Sequence, residues 1–579
     1  MNINEKLDNI LYKHGMIKHT DYKEFENMIS VDLCKNQNIG LYGVGAEVMP
    51  LLHMLSKIKD FSIKKCFDKS KKEFSFKNLI KDTNVAKIED VNSFGIEIIL
   101  VASKDYSSEM INILKKLDYH GEIVDVFSLL DGYIQDHFVD YRTVSKDRMK
   151  YQKTKSEKDL KKLIKDYILI KDFINTIKYI DIYIDSEFAD AANYISLKKE
   201  ITDLLDHIKG QINKRQTQDI VINWVDALSF YDIPKFDFLN EHAKKSYMFN
   251  NAYTVMPWTT ETLKTVTFGE YPIEGLLFAK NIFNKDNNKL LGLLNKSDYK
   301  FAYCGLPRMS RFFTEDVYTP MEIYDIKFSS SLPSQWNALA LLCGDDRPLC
   351  LLIHTLHETH EPFISGECDS VRWFGSTLKD WDNPDCRNQA SVASRYIDEQ
   401  LRFYESFYGK NVTEIYMSDH GRVGNSPMDE NKTHIMLFVH GKKIKPCVQE
   451  KTFSLVNISD LVEKIIYRDD DWDNLFRDYV LIENLDAYDS VIVDDVLSGR
   501  LNREEMCQCS VIVTKTGKYF LYADGREDYY PERNAKKNEI NNSAYFHEIE
   551  QLRQKCGKEF IDIYKYDKFK YSRLLYEKS

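Results

Sequence analysis

The sequence predicts an α/β fold in which a small α/β module precedes a large, mostly parallel sheet. Three observations predict it. Short apolar runs, among them Asp219–Val225 and Leu349–Ile353, alternate with segments of helical periodicity. Several runs end abruptly in carboxylates or imidazoles, as parallel strands do where they open onto a ligand crevice. Near the C-terminus the spacing changes to that of an antiparallel hairpin.

The chain has 579 residues, a net charge of -11, 43% hydrophobic and 29% charged residues. This length allows about three or four domains, and the composition is that of a globular protein. The acidic balance and the lack of a basic stripe with interleaved aromatics argue against nucleic-acid binding. The first residues, Met1-Asn-Ile-Asn-Glu, carry no apolar signal core, and no run of about 18 apolar residues occurs. Eleven cysteines follow no framework spacing, and Cys507-Gln-Cys509 lacks a partner pair. The expectation is a cytoplasmic protein without a transmembrane segment, its thiols reduced.

Residues 1 to about 33 have helical periodicity. Asn38–Tyr42 is a strand, Gly43-Val-Gly45 a glycine turn, and an amphipathic helix runs on through Leu55. Strands at Ile63–Phe67, Ile96–Ser103 and Glu122–Phe127 follow, with a helix near Ser107–Leu117 between the last two. The glycine turn at a helix N-terminus suits a phosphate, and Asp68 stands where a ribose-binding acid is expected. Gly43, Gly45 and Asp68 are therefore candidate nucleotide-binding residues, although Val48 replaces the third glycine of the fingerprint. This stretch, residues 1–130, resembles the Rossmann-like modules of bacterial surface-polysaccharide enzymes. Residues 131–215 are Lys- and Glu-rich at helical spacing and read as a helical linker or paired helices.

The strand Asp219–Val225 ends in Asp226. Pro257-Trp-Thr-Thr-Glu261 reads as a helix start. There Thr259 or Thr260 is either a plain cap or a hydroxyl in the positive field of the helix end. Leu349–Phe363 starts apolar and turns His-rich, with His354, His357 and His360; six of the 14 histidines lie between His354 and His440. Within it His360 is the functional candidate, whereas His354 and His440 read as structural. A helix over Arg387–Tyr408 leads to a strand at Ile415–Met417 and the turn Ser418-Asp-His-Gly421. Asp419 and His420 there are ligand types for zinc or manganese. Leu455–Ile466 is a capped helix, and Ser510–Gly525 a hairpin about Thr516-Gly517.

In this order the pieces resemble the alkaline phosphatase/sulfatase superfamily, and within it the phosphoethanolamine and phosphoglycerol transferases. The motifs are Asp226, Ala252-Tyr-Thr to Pro257-Trp-Thr259 with Gly269-Glu-Tyr-Pro272, Leu294–Gly305, Thr359-His-Glu-Pro-Phe363, Ser418-Asp-His-Gly421 and Lys518–Tyr530. The resemblance implies a catalytic domain over 216–472, with 473–579 as its C-terminal part carrying a small antiparallel sheet. The main sheet would be mixed, mostly parallel and sandwiched by helices. The implied metal ligands are Asp226, Thr259, Asp419 and His420, holding one zinc or manganese ion, with a second ion left open. Thr259 would be the nucleophile. His360 and His434 would bind phosphoryl oxygens, His360 also protonating the leaving group, and Arg308 and Arg311 would clamp the anion. Sulfatases use a Cys or Ser that becomes formylglycine, followed by Pro and Arg; Thr259-Thr-Glu-Thr has none of these. The implied activity is therefore phospho-group transfer to a glycan or glycan precursor; with neither an anchor nor an export signal read in the sequence, the expected donor is a soluble nucleotide-activated compound of the CDP type, in place of the phospholipid donors of the resembled transferases. Phosphodiester or phosphonate monoester hydrolysis is the alternative, ahead of sulfate hydrolysis and of a non-catalytic binding role. The expected partners are a small-molecule or glycan substrate, and the sequence does not specify an oligomeric state.

Overall fold

The computed structural model describes residues 3–17, 38–44, 48, 52, 55, 61–69, 79–103, 106–126, 139–272, 274–275, 277, 280, 283–305, 309, 312–313, 317, 330–369, 372, 374, 378–422, 429–484, 509–533, 535 and 537–556. The chain forms two compact units. One comprises 1–144, 153–207 and 305–329; the other comprises 145–152, 208–304 and 330–579.

In the first unit five parallel strands form one sheet. They are β1 (Ile39–Tyr42), β2 (Lys65–Phe67), β3 (Val85–Ala86), β4 (Ile98–Val101) and β5 (Glu122–Asp125), in the order β3-β2-β1-β4-β5. That is the order of doubly wound nucleotide-binding sheets. Successive side chains of a strand point to opposite faces. Ile39, Leu41, Ile98 and Leu100 accordingly join one buried cluster, while Tyr42, Ile99 and Val101 join another. Burial on both faces explains why these strands read as continuous apolar runs. The glycine turn keeps Gly43 at φ 95°, and Val44 N–H donates to the Asp68 carboxylate at 3.1 Å. A carboxylate thus takes a turn amide that a phosphate would need. Gly45 lies outside the described residues.

The segment read as a helical linker is a run of four helices, Tyr141–Thr154, Glu157–Leu169, Phe173–Asp185 and Ala191–Lys214. Ser156 and Asp172 cap the second and third by accepting from Asp159 N–H and Asn175 N–H. Residues 153–207 of this run belong to the first unit. Among the described residues no helix is long and apolar enough to cross a membrane.

The second unit is built on a seven-stranded sheet. Its strands are β6 (Asp219–Val225), β7 (Tyr247–Tyr253), β8 (Lys300–Cys304), β9 (Leu349–Thr355), β10 (Val412–Met417), β11 (Leu437–His440) and β12 (Cys447–Ser454). Their order is β12-β7-β11-β10-β6-β9-β8, and only β11 runs antiparallel to its neighbours. Every residue of β6, β9 and β10 is buried. The helix expected at 387–408 spans Pro384–Glu405, because Asn383 caps it and Pro384 fits its first turn. The same unit carries a four-stranded antiparallel sheet, β13 (Tyr479–Asn484), β14 (Cys509–Thr514), β15 (Lys518–Tyr522) and β16 (Glu527–Tyr530), in sequence order. Its hairpin turns at Gly517, where a Cβ would lie 2.4 Å from the Tyr530 carbonyl oxygen. The fold is thus α/β with a mixed, mostly parallel sheet and a small antiparallel one.

Candidate active site

The parallel register brings the ends of β6, β9 and β10 together. Trp224 pairs with His354 on one side of β6 and with Met417 on the other. The next turns therefore place Asp226, His354, Asp419 and His420 in one crevice at the C-terminal edge. Gly421 is needed there, since a Cβ would sit 1.7 Å from the Asn431 carbonyl oxygen. Ala227, just past β6, has φ 55° and donates its N–H to Asp419 Oδ1 at 3.1 Å.

Asp226 is fully buried. Its Oδ2 accepts from His354 Nε2 at 2.7 Å and from the Thr259 hydroxyl at 3.3 Å. Its Oδ1 has no hydrogen-bond partner, and neither has Oδ2 of the equally buried Asp419. His420 Nδ1 donates to the Gly421 carbonyl at 2.8 Å, which turns Nε2 toward the crevice. That Nε2 faces both open oxygens, 3.8 Å from Asp226 Oδ1 and 3.4 Å from Asp419 Oδ2. His360, half-buried, turns Nδ1 to the Glu361 carbonyl at 3.1 Å and packs its ring 5.9 Å from that of His420. Asp226, His360 and His420 each offer a ligand atom within 4.8 Å of the other two.

Two buried carboxylate oxygens without hydrogen bonds are expensive unless a cation lies between them. Together with two imidazoles they form the N/O donor set that zinc or manganese takes. The residues present therefore fit a divalent cation. The electrostatics agree. Burial raises the Asp226 acid, but His360, His354 and His420 outweigh it and hold it below the usual carboxylate range. Burial and the Asp226 charge push Asp419 up. Burial lowers His360, and Glu361 and Asp226 more than reverse this.

Thr259 is the first residue of the helix Thr259–Phe268, whose cap is Trp258 with no side-chain hydrogen bond. The plain-cap alternative is therefore set aside for Thr259: its hydroxyl points to Asp226. The helix dipole adds partial positive charge at this spot.

The structure brings Asp226, Thr259, His360, Asp419 and His420 together, with His360 inside the candidate ligand cluster. It does not bring His434 there. The His434 ring is sandwiched between Phe230 (4.4 Å) and Tyr253 (4.8 Å). Its Nε2 lies 2.8 Å from the Asn250 carbonyl, and its Nδ1 is 3.3 Å from the Tyr231 hydroxyl and 3.4 Å from Glu430. Both nitrogens are thus committed to the protein, which corrects the expected phosphoryl contact. Arg308 and Arg311 lie outside the described residues. Sequence reasoning missed His354 as part of the site and did not single out Tyr303, whose hydroxyl lies 3.1 Å from His354 Nδ1. With Tyr303 donating to Nδ1, the imidazole proton is fixed on Nε2, toward Asp226. The signal was present only as an apolar run ending in His354.

No family model matches the chain, and no curated protein matches it. Among solved structures it is similar to a 2-O GAG sulfatase, with 13% identity and a TM-score of 0.43 over 58% of this chain and 91% of that one. It is similar to a phosphonate monoester hydrolase from Silicibacter pomeroyi, with 11% identity and a TM-score of 0.43 over 59% and 94%. A protein in the alkaline phosphatase superfamily from Vibrio parahaemolyticus shows 15% identity and a TM-score of 0.35 over 57% and 87%.

Proposed function

We propose that the chain is a metal-dependent phospho-group transferase with Thr259 as nucleophile, acting on a surface glycan or glycan precursor. The observation that carries this reading is the Thr259 hydroxyl, which donates to Asp226 at a helix N-terminus beside the Asp226–His360–His420 cluster. Asp226, His360, His420 and Asp419 would hold the cation. When bound, a zinc or manganese ion supplies a lowered hydroxyl pKa and neutralisation of phosphoryl charge.

Asp226 orients the Thr259 oxygen, and His354 with Tyr303 orients Asp226. The helix end favours the anionic phosphoryl group. Thr259 Oγ bonds to phosphorus as the leaving group departs, giving a phosphothreonine ester. An acceptor hydroxyl then attacks in line and restores Thr259. Threonine cannot supply the formylglycine of sulfatases, which speaks against sulfate hydrolysis. The donor class to test first is a CDP-activated phospho-alcohol.

The test is incubation of the full chain and zinc or manganese with an aryl phosphodiester, with and without an acceptor glycan. Product formed only with acceptor supports transfer, and release of phosphate ester into water makes the protein a hydrolase. Undiminished turnover by Thr259→Ala would overturn the nucleophile.

A further inference from the structure

At the opposite end of β10 lies a second cluster. Glu414 of β10 stands in register with His440 of β11, and His242 of the helix Asp237–Lys244 packs over both. Each of the three offers a ligand atom within 4.8 Å of the others. His242 and Glu414 are buried and His440 partly so. His242 sits in an aromatic surround, its ring 5.0 Å from Phe238, 5.3 Å from Tyr416 and 5.9 Å from Phe438.

A neutral core histidine would account for that packing. It does not account for His242 Nε2, which is buried without a hydrogen-bond partner and faces Glu414 Oε1 at 3.9 Å. The outer contacts are those of a ligand set. Tyr416 donates its hydroxyl to the other Glu414 oxygen at 3.0 Å. The Ser246 hydroxyl donates to the His242 carbonyl at 2.6 Å, so at 3.2 Å it accepts from His440 Nδ1 and leaves His440 Nε2 unprotonated.

We propose that His242, Glu414 and His440 bind a second divalent transition-metal ion, zinc by the chemistry of two imidazoles and one carboxylate. The ion ties the helix Asp237–Lys244 to β10 and β11 and is separate from the catalytic centre. Zinc at about 2.0–2.2 Å from each ligand requires the donor atoms to draw in by roughly 1 Å. Partial exposure of His440 provides the way in.

The test uses the full chain carrying Asp226→Asn and His420→Ala, so that the first centre is disabled. The protein is stripped with chelator, loaded with zinc chloride, desalted and assayed for metal. The expected result is about one zinc per chain and a thermal midpoint several degrees above the stripped form, both lost on adding His440→Ala. Absence of bound zinc and of a thermal shift in the double variant would overturn the proposal, as would zinc that His440→Ala leaves in place. If the triple variant does not fold, cobalt loading of the double variant decides. Visible ligand-field bands of a nitrogen- and oxygen-bound ion support the site, and their absence overturns it.

Discussion

At the scale of single residues, the proposed reaction turns on one hydroxyl, that of Thr259, and the groups that aim it. Thr259→Ala should lower turnover of an aryl phosphodiester by about three orders of magnitude or more, while Thr259→Ser keeps a hydroxyl and measurable activity. Steady-state kinetics check both. Tyr303→Phe removes the donor that fixes the His354 tautomer, three contacts away from Thr259. We expect it to weaken metal affinity by about 10- to 100-fold with little change in fold, measurable by metal titration and circular dichroism. Asp226, Asp419 and His420 were legible because a polar residue closing an apolar run is conspicuous, whereas Thr259 stood out only as a helix start whose role the family resemblance implied. His354 was not, since its role depends on the pairing of β6 with β9 across 128 residues. His434 misled for a related reason: a histidine before a strand looks available until the Phe230 and Tyr253 rings close over it.

At the scale of elements, the small sheet is tied to the main one through Glu430. Tyr253 of β7 donates to it at 2.7 Å, Lys518 of β15 pairs with it, and His434 lies 3.4 Å away. Burial raises the Glu430 acid, but His434 and Lys518 outweigh this and bring it down to about 2. A depressed carboxylate contributes stability that is complete above its unfolded value and lost as pH falls through its folded one. The thermal midpoint should therefore fall between about pH 5 and pH 2, and Glu430→Gln should flatten that slope. Lys518→Met removes the cation paired with the buried Glu430 and should cost about 3 kcal/mol in denaturant unfolding at neutral pH. The continuous apolar strands β6, β9 and β10 and the hairpin of β14 and β15 were legible. The two-residue β3 carries no periodicity, and β12 is exposed over much of its length, so neither leaves a clear pattern. In the first unit the strand order was foreshadowed by the alternation of strands and helices, whereas the bond from Val44 to Asp68 could be seen only in three dimensions.

At the scale of the whole molecule, a cation should matter to stability as well as activity. Asp226 and Asp419 bring two buried carboxylates to one crevice, and a positive charge between them relieves their repulsion. Removing metal with chelator should abolish turnover and lower the thermal midpoint by several degrees, with zinc or manganese restoring both. Calorimetry beside the activity assay checks this. The most direct test of Thr259 as nucleophile is intact-protein mass spectrometry of the metal-loaded chain, quenched during reaction with an activated phosphodiester. The expected result is a mass increase equal to the transferred phospho-group, mapped by fragmentation to Thr259 and missing from Thr259→Ala. Turnover with no adduct at Thr259, sustained at the same rate by Thr259→Ala, would contradict it.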